Sequence, residues 1–225
     1  MLTTLKCCLC SQIEGQPDND LIARLLPDEP YVRRIMLESQ SFAVIPSLGP
    51  LVSGHALLCP KTHVRSFAHL GRELYEECST IKKVLIQGLR ELYRKDVHIF
   101  EHGMAGTGDR VLCTVDHAHM HFLPLPATVE IGDRLDLRED GWTTYDGSLA
   151  MLKRLSGGHE YILYDAPDGV SRLLVSQDHD VESQYMRKVI AAELGHADHW
   201  NWRTAPDARA ADDAWRRFAS SSVCR

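Results

Sequence analysis

The sequence lacks long apolar runs and clusters of basic residues. None of its apolar runs approaches the roughly 18–20 residues of a membrane-spanning helix. The first six residues, Met1 to Lys6, contain no apolar region typical of a signal peptide. Acidic and basic residues are interspersed and the formal net charge is −6, so a general nucleic-acid surface is not expected. These absences predict a cytoplasmic protein that binds neither membranes nor nucleic acid in general.

The sequence also lacks the even cysteine count of a disulfide framework, since it has seven cysteines and no other sign of secretion. Cys7 and Cys10 form a Cys-x-x-Cys pair, which is half of a zinc-ligand set. Cys8 is an alternative ligand to Cys7, and a pair of unliganded buried cysteines is an alternative to the metal site. Redox chemistry is less favoured, because no β-α-β pattern surrounds the pair. Apolar residues surround Cys59, Cys78 and Cys113 in the sequence, so these three cysteines are expected to be small core residues.

Three histidines alternate with small or apolar residues in the run from Val115 to Pro124. Successive side chains of a strand point to opposite faces, so His117, His119 and His121 are predicted to share one face, roughly 6–7 Å apart. An imidazole can act as base, acid, nucleophile or metal ligand near neutral pH. The row therefore suits a single substrate, or a metal and a substrate. A metal-binding or merely solvated strand is the alternative.

Hydrophobic periodicity predicts a chain of strands with one long helix. Strands are expected at 35–37, 42–45, 55–60 and 97–101, and the helix between Gly71 and Lys95. A glycine-rich loop at 102–110 leads to the histidine strand, which is expected to start near Leu112. Further along, the pattern predicts a hairpin of 161–164 with 172–175 and a helix from Ser183 to Leu194. The residues from 205 onward read as marginal helix or disorder.

The run from His117 to Leu123, His-x-His-x-His-x-x with apolar x, resembles the histidine triad (HIT) superfamily of nucleotide hydrolases and transferases. A second segment, Gly54 to His63, is similar to the strand of that family that ends in Pro-Lys-x-His. The order of elements agrees over about residues 5–126. The resemblance implies an α+β fold, an antiparallel sheet with a long packed helix. It divides the chain into a catalytic domain (1–126), a C-terminal extension of hairpin and helix packed on it (127–204) and a tail (205–225).

The resemblance implies a chemistry for the triad. His119 would attack the α-phosphorus of a nucleotide derivative and form a covalent nucleotidyl-histidine, which splits one displacement into two steps. His121 would contact the phosphate or the leaving group, and Thr114 lies where the family often has a hydroxyl that assists the leaving group. Backbone N–H groups of the glycine loop could bind phosphate oxygens, with a plain turn as the alternative. The candidate nucleotide-binding residues are Ser47, Gly103, Gly108, Cys113 and Gln184.

A zinc-binding subset of the family supplies a second expectation. Its ligands are an N-terminal Cys-x-x-Cys, the histidine of Pro-Lys-x-His and the first triad histidine, which correspond here to Cys7, Cys10, His63 and His117. Two thiolates and two imidazoles complete a tetrahedral Zn²⁺ site, so the metal would be structural. Family members usually form homodimers, and a homodimer is therefore expected.

Three positions depart from the family pattern. Ser47 stands where many HIT hydrolases have an aspartate that holds the ribose hydroxyls, and Cys113 stands where glutamine is usual. Glu101 replaces a common asparagine, and a carboxylate near an anionic phosphate is unfavourable unless it is protonated or paired, with Arg110 as a candidate partner. These departures leave the triad intact and put the usual substrate, a purine mononucleotide phosphoramidate, in question.

Candidate substrate contacts also occur in the C-terminal extension. The residues that could contact an anion are Gln184, Arg187, Lys188 and Arg203, although Gln184 and Arg187 are more typical of a solvated helix face. Trp200 and Trp202 could stack on a base, although simple packing is favoured.

The leading functional hypothesis is a hydrolase of nucleotidyl conjugates, namely phosphoramidates, mixed anhydrides or dinucleoside polyphosphates. A nucleotidyltransferase or phosphorylase of the same superfamily is the alternative, because the triad does not specify the acceptor. A non-catalytic, nucleotide-binding regulatory module is an alternative from another class.

Overall fold

The structure, a computed structural model, describes residues 7–105, 115–136, 141–176 and 182–221. Its centre is an eight-stranded sheet in the order β1-β2-β3-β5-β4-β7-β8-β6, and all neighbouring strands are antiparallel. The strands are β1 (Leu37–Glu38), β2 (Phe42–Pro46), β3 (Ala56–Pro60), β4 (Asp96–Gly103), β5 (Met120–Leu125), β6 (Thr143–Tyr145), β7 (Tyr161–Asp165) and β8 (Ser171–Val175). The predicted α+β class with an antiparallel sheet is confirmed.

The α-helices lie on both faces of this sheet. They are α1 (Cys8–Glu14), α2 (Leu21–Leu25), α3 (Tyr75–Tyr93), α4 (Ile131–Asp136), α5 (Leu149–Ser156), α6 (Tyr185–Glu193) and α7 (Ala208–Ala219). The predicted long helix is α3, whose apolar stripe is buried at helical spacing in Cys78, Ile81, Leu85 and Leu89. Helix α7 occupies the segment that the sequence left between marginal helix and disorder.

Strict alternation along the strands separates two cores. On the first face, Phe42, Leu58 and Phe122 pack with residues of α3, α5 and α7. On the second face, helix α1 packs against β2 and β3, while α4 and α6 pack against β4, β7 and β8. The second face therefore has a helix-covered area at each end, and His121 of β5 lies between them.

The C-terminal extension continues the sheet as well as packing on it. Strand β7 pairs with β4 through Phe100 and Tyr164, and β8 and β6 follow. The predicted hairpin is confirmed. The outer strands of the sheet are short, with two residues in β1 and three in β6. Short outer strands offer few unpaired backbone groups to another chain.

The triad strand begins later than the sequence indicates. Strand β5 starts at Met120, so His117 and His119 precede it and the prediction of one straight row of three histidines is wrong. The chain deviates there because the N–H of Ala118 donates to the carbonyl of Val64 rather than to the ladder of β3. The expected start near Leu112 lies outside the described residues. No helix in the described part of the chain has the length and apolar character to cross a membrane.

Candidate active site and metal centre

Four predicted metal ligands meet at the start of α1. The candidate ligand atoms of Cys7, Cys10, His63 and His117 all lie within 4.8 Å of one another. The Sγ of Cys10 is 3.3 Å from Nδ1 of both histidines, and the Sγ of Cys7 is 3.6 Å from Nδ1 of His117. Tetrahedral Zn²⁺ with normal bond lengths separates its ligand atoms by roughly 3.3–3.8 Å. The residues present therefore fit a Cys₂His₂ zinc site.

The protonation of these ligands also suits a metal. The Nε2 of His117 is 2.8 Å from the carbonyl oxygen of Pro60, which can only accept, so Nε2 carries the proton and Nδ1 has its lone pair toward the sulfurs. The hydrogen bond from Cys8 lowers the pKa of the Cys7 thiol, which favours the thiolate. The pKa of Cys8 is raised, mainly by its hydrogen bond to Cys7. Cys7 is thus the better ligand of the two, as the spacing predicts.

His119 has its tautomer fixed by its own backbone. The Nδ1 of His119 is 2.7 Å from the carbonyl oxygen of His117, so Nδ1 carries the proton and the lone pair is on Nε2. The side chain is 8% exposed and lines a cavity on the second face of the sheet. A neutral imidazole with its lone pair directed by such a bond has the electronic form of a nucleophile.

His121 is held by a second histidine. The N–H of Leu51 donates to Nδ1 of His55, so the proton of His55 is on Nε2, which lies 2.9 Å from Nδ1 of His121. The proton of His121 is then on its own Nε2, and this ring stacks on Phe100 with centroids 4.1 Å apart. Burial lowers the pKa of both His55 and His121, and the charge of the nearby Arg187 lowers it further. His121 is therefore a neutral hydrogen-bond donor.

The cavity lies between the N-terminal helices and the C-terminal extension. His119 and His121 form its base with Leu57, and Ser47 contributes from the loop after β2. The N-terminal side consists of Cys8, Leu9, Gln12 and Leu21. Arg187 and Trp202 close the opposite side. Because the enclosed volume is only about 60 Å³, it has room for a few water molecules or a group of phosphate size.

The predicted nucleotide-binding residues that the structure describes lie in different environments. Ser47 is buried in the cavity wall, and its backbone N–H donates to the carbonyl of His55. Gln184 is buried at the N-terminus of α6 and is not among the described residues that line the cavity. Gly103 ends β4 beneath the ring of Tyr161, which a Cβ would overlap, so its structural role is close packing. The predictions for Thr114, Gly108 and Cys113 lie outside the described residues.

Glu101 is on the opposite face of the sheet from Phe100 and the triad. Its carboxylate accepts from the N–H of Phe67 at 2.8 Å and from the hydroxyl of Tyr161 at 2.6 Å. Burial raises the pKa of Glu101 to about 7, and these hydrogen bonds oppose the rise. The expectation of a carboxylate beside the substrate phosphate is wrong, because strand alternation directs Glu101 into the first core. Its suggested partner Arg110 lies outside the described residues.

Several contributions were missed by sequence reasoning. Arg187 is 3% exposed, so the interpretation as a solvated helix face is wrong for this residue. His55 was recognised as part of a motif, but its contact with His121 depends on the pairing of β3 with β5. Helix α1 was not predicted, since its seven residues give too short a periodic signal. The glycine-histidine dipeptide at 54–55 is the signal that could have pointed to His55.

Comparison with known proteins identifies one family model that matches part of the chain. Residues 32–127 match the family model of the HIT domain. A Zn-bound histidine triad family protein from Mycobacterium smegmatis is 24% identical with a TM-score of 0.41, over 61% of this chain and 84% of that one. A hypothetical histidine triad nucleotide-binding protein from Sulfolobus tokodaii strain7 is 23% identical with a TM-score of 0.38, over 54% and 70%. A HIT family member from Bacillus subtilis is 17% identical with a TM-score of 0.39, over 68% and 95%. No curated protein matches the chain.

Residues 32–127 of the chain therefore match a HIT domain, and two histidines of its triad, His119 and His121, lie at the base of the cavity. Its HIT domain is extended on both sides. Helices α1 and α2 and the two cysteine ligands precede the matched region, and the segment with Arg187 and Trp202 follows it.

Proposed function

We propose that this protein hydrolyses nucleotidyl conjugates at the α-phosphate, with His119 as the nucleophile. The observation that carries the proposal is the bond from His119 Nδ1 to the carbonyl of His117, because it fixes the lone pair on Nε2. The match to the HIT domain, whose family includes nucleotide hydrolases, supports the same assignment. The substrate class is a phosphoramidate, a mixed anhydride or a dinucleoside polyphosphate.

The reaction proceeds in two displacements. In the first, Nε2 of His119 forms a bond to the α-phosphorus, while the bond from phosphorus to the leaving group breaks and its electron pair goes to that group. In the second, water forms a new P–O bond and the P–N bond breaks, which restores the neutral imidazole. The proton and the hydroxyl of the water are thus divided between the two products, and each step is an ordinary nucleophilic displacement.

His121 assists as a hydrogen-bond donor. Its Nε2–H, fixed by the contact with His55, donates to a phosphate oxygen or to the leaving group and so stabilises charge in the transition state. Thr114 and the N–H groups of the glycine loop have the roles that the family resemblance implies. Ser47 contacts the sugar, with a hydroxyl in place of a carboxylate.

The metal in this account is structural zinc bound by Cys7, Cys10, His63 and His117. All four ligand positions are used by the protein, so the ion takes no part in the displacement. It joins α1 to the loop after β3 and to the residue two positions before His119. Zinc therefore holds the N-terminal wall of the cavity against the triad. A homodimer and a cytoplasmic location remain predictions from the sequence.

A turnover screen tests the proposed function. Purified protein is incubated with adenosine phosphoramidates, dinucleoside polyphosphates and nucleotide sugars, with and without inorganic phosphate, and the products are separated chromatographically. We expect release of a nucleoside monophosphate by the wild type and none by His119→Ala. Turnover that requires added phosphate would assign the protein as a phosphorylase instead. Tight nucleotide binding without turnover on any substrate would favour the regulatory module.

A further inference from the structure

Arg187 is a buried cation at the wall of the triad cavity. It lies on α6, outside the HIT domain, and lines the cavity with His119 and His121. Its Nε donates to the carbonyl oxygen of Trp200 at 2.6 Å, and its Nη2 donates to that of Gly49 at 2.7 Å. Both bonds hold the guanidinium plane in place. The side chain thus bridges the loop after β2 and the segment after α6.

The approach of these two segments is tight. A Cβ on Gly49 would overlap the Cβ of Trp202 and would lie 3.5 Å from Nη2 of Arg187. Only glycine allows the loop to come so close. The position of Arg187 beside the triad is therefore part of the packing between extension and HIT domain, and not a chance conformation of a long side chain.

A buried guanidinium is costly unless its charge is compensated. Carbonyl oxygens contribute dipoles, and the surrounding imidazoles of His55, His102 and His121 are all hindered from protonation by burial and by the nearby charge of Arg187. The cavity therefore combines neutral imidazoles with one fixed cation. Among the described residues that line it, Arg187 is the only lysine or arginine.

This combination suits a phosphate group. A guanidinium presents planar paired donors that match phosphate oxygens and stays charged at any relevant pH. The enclosed volume of about 60 Å³ is far below the roughly 300–1,000 Å³ of pockets for drug-sized ligands. The cavity that the described residues form is therefore of phosphate size.

We propose that Arg187 binds the phosphate of the substrate, so that the C-terminal extension adds a fixed cation to the phosphate site at the triad. This inference rests on the proposed function and narrows its ligands to those with an anionic phosphate in the cavity. An uncharged nucleoside is expected to bind weakly, because it lacks the phosphate to which Arg187 would donate.

Calorimetric titration with AMP and with adenosine tests the inference, since the two probes differ only by the phosphate. A hydrogen bond to a charged group contributes about 1.5–3 kcal/mol, so we expect wild type to bind AMP about 10–100-fold more tightly than adenosine. In Arg187→Met this ratio of affinities is expected to fall by about 10-fold or more with the adenosine affinity unchanged. In Arg187→Lys, which keeps the charge and loses the planar fork, the ratio is expected to be intermediate.

Lys188→Met is the matched control, since it removes one positive charge from the same helix and Lys188 does not line the described cavity. Its ratio is expected to equal that of wild type. An equal loss of affinity for AMP and for adenosine in Arg187→Met would show that the role of Arg187 is purely structural and would overturn the inference. Circular dichroism shows whether each variant folds. If Arg187→Met does not fold, Arg187→Lys is decisive, and an AMP-to-adenosine affinity ratio equal to that of wild type in this variant overturns the inference.

The outcome is distinguishable from that of the proposed function. A phosphate preference that depends on Arg187, in a protein that turns over no conjugate, would leave this inference standing and the hydrolase proposal wrong. Turnover that depends on His119, together with a ratio of AMP to adenosine affinity that Arg187→Met leaves unchanged, would support the hydrolase proposal and overturn this inference. A wild type without preference for AMP over adenosine also overturns the inference.

Discussion

Each triad histidine has a different hydrogen-bond environment, and this determines its chemical character. His117 donates through Nε2 to a carbonyl and faces two sulfurs with Nδ1. His119 donates through Nδ1, and His121 accepts on Nδ1 from His55. Identical side chains thus become a metal ligand, a nucleophile and a donor. The assignment of roles follows from which ring nitrogen carries the proton.

The contact between His55 and His121 yields a prediction for catalysis. His55→Leu introduces an apolar side chain of similar size and removes the donor to His121 Nδ1. His121 therefore loses its preference for the Nε2–H tautomer. We expect kcat to fall about 10–100-fold, the equivalent of about 1–3 kcal/mol for a buried bond, with the fold retained. Steady-state kinetics on the substrate found in the screen measures the effect. His98→Leu is the control, since His98 is buried on the same face of the sheet as His121 and hydrogen-bonds to Tyr164 instead. An equal loss of kcat in both variants would contradict the role of His55.

Glu101 yields a prediction for the dependence of stability on pH. Its pKa is about 7 in the folded protein and near 4.3 when unfolded. The folded state thus retains a proton that the unfolded state loses, so the stabilisation is complete below about pH 4.3 and is lost as pH rises through 7. Relative to Glu101→Gln, which does not titrate, wild type should lose about 3 kcal/mol of unfolding free energy between pH 4 and 8. Urea unfolding of both proteins across this range measures it, and parallel curves would contradict the assigned pKa.

At the scale of elements, α1 depends on the metal cluster. This helix has seven residues, without a side-chain cap at its start, and helices of that length are unstable alone. Its attachment comes from Leu9 and Ile13 in a small core and from the cysteine ligands. Removal of the metal should therefore loosen the N-terminal wall of the cavity.

Cys10→Ala tests this attachment. We expect wild type purified without chelator to contain about one zinc per chain, and Cys10→Ala to contain much less. Chelation should lower the melting temperature of wild type and leave that of Cys10→Ala nearly unchanged. Cys78→Ala is the control, because Cys78 is buried in α3 away from the cluster. Elemental analysis that finds no zinc in wild type would contradict the site.

Helix α7 is a second element with a testable role. Phe218 is fully buried in the first core, and Asp212 pairs with the buried Arg34. Phe218→Ala should destabilise the protein by about 3–5 kcal/mol through the cavity that it leaves. The exposed Arg209→Ala on the same helix should change stability by less than about 0.5 kcal/mol. Chemical denaturation distinguishes them, and a negligible effect of Phe218→Ala would mean that the tail is dispensable.

The elements differ in how well the sequence predicts them. Helix α3, the hairpin of β7 and β8, and helix α6 have clear periodicity and were predicted. Helix α7 is different, because its buried residues Ala208, Ala211, Ala214 and Phe218 fall at helical spacing but three of the four are alanines, which are only weakly hydrophobic. The Cys-x-x-Cys half of the metal site could be predicted from its spacing, and the two histidine ligands from the family resemblance. The position of Glu101 could not, because it depends on which strand face carries the site.

At the scale of the whole molecule, the matched HIT domain lies between two additions in the sequence: helices α1 and α2 precede it, and the C-terminal extension adds β7, β8 and β6 to one edge of its sheet. The N-terminal helices and the C-terminal segment both reach the same cavity from outside the matched region. Arg187 shows why sequence alone was insufficient here. A basic residue on an amphipathic helix is normally solvated, and only the packing of α6 against the loop after β2 buries it.

The same arrangement bears on assembly. The edge of β4 is paired with β7, and the outer strands are short, so a dimer formed by joining two sheets edge to edge is disfavoured. The homodimer expected from the family resemblance would need a different surface. Sedimentation analysis of the zinc-containing protein distinguishes a monomer from a dimer.

Covalent trapping is the most direct test of the central claim that His119 is a nucleophile. The protein is mixed with substrate, quenched in alkali because a phosphoramidate bond is labile in acid, and analysed by peptide mass spectrometry. The account predicts one nucleotidyl group per active chain, attached to the peptide that contains His119, and no label in His119→Ala. Rapid turnover without any label, or a label retained in His119→Ala, would contradict it.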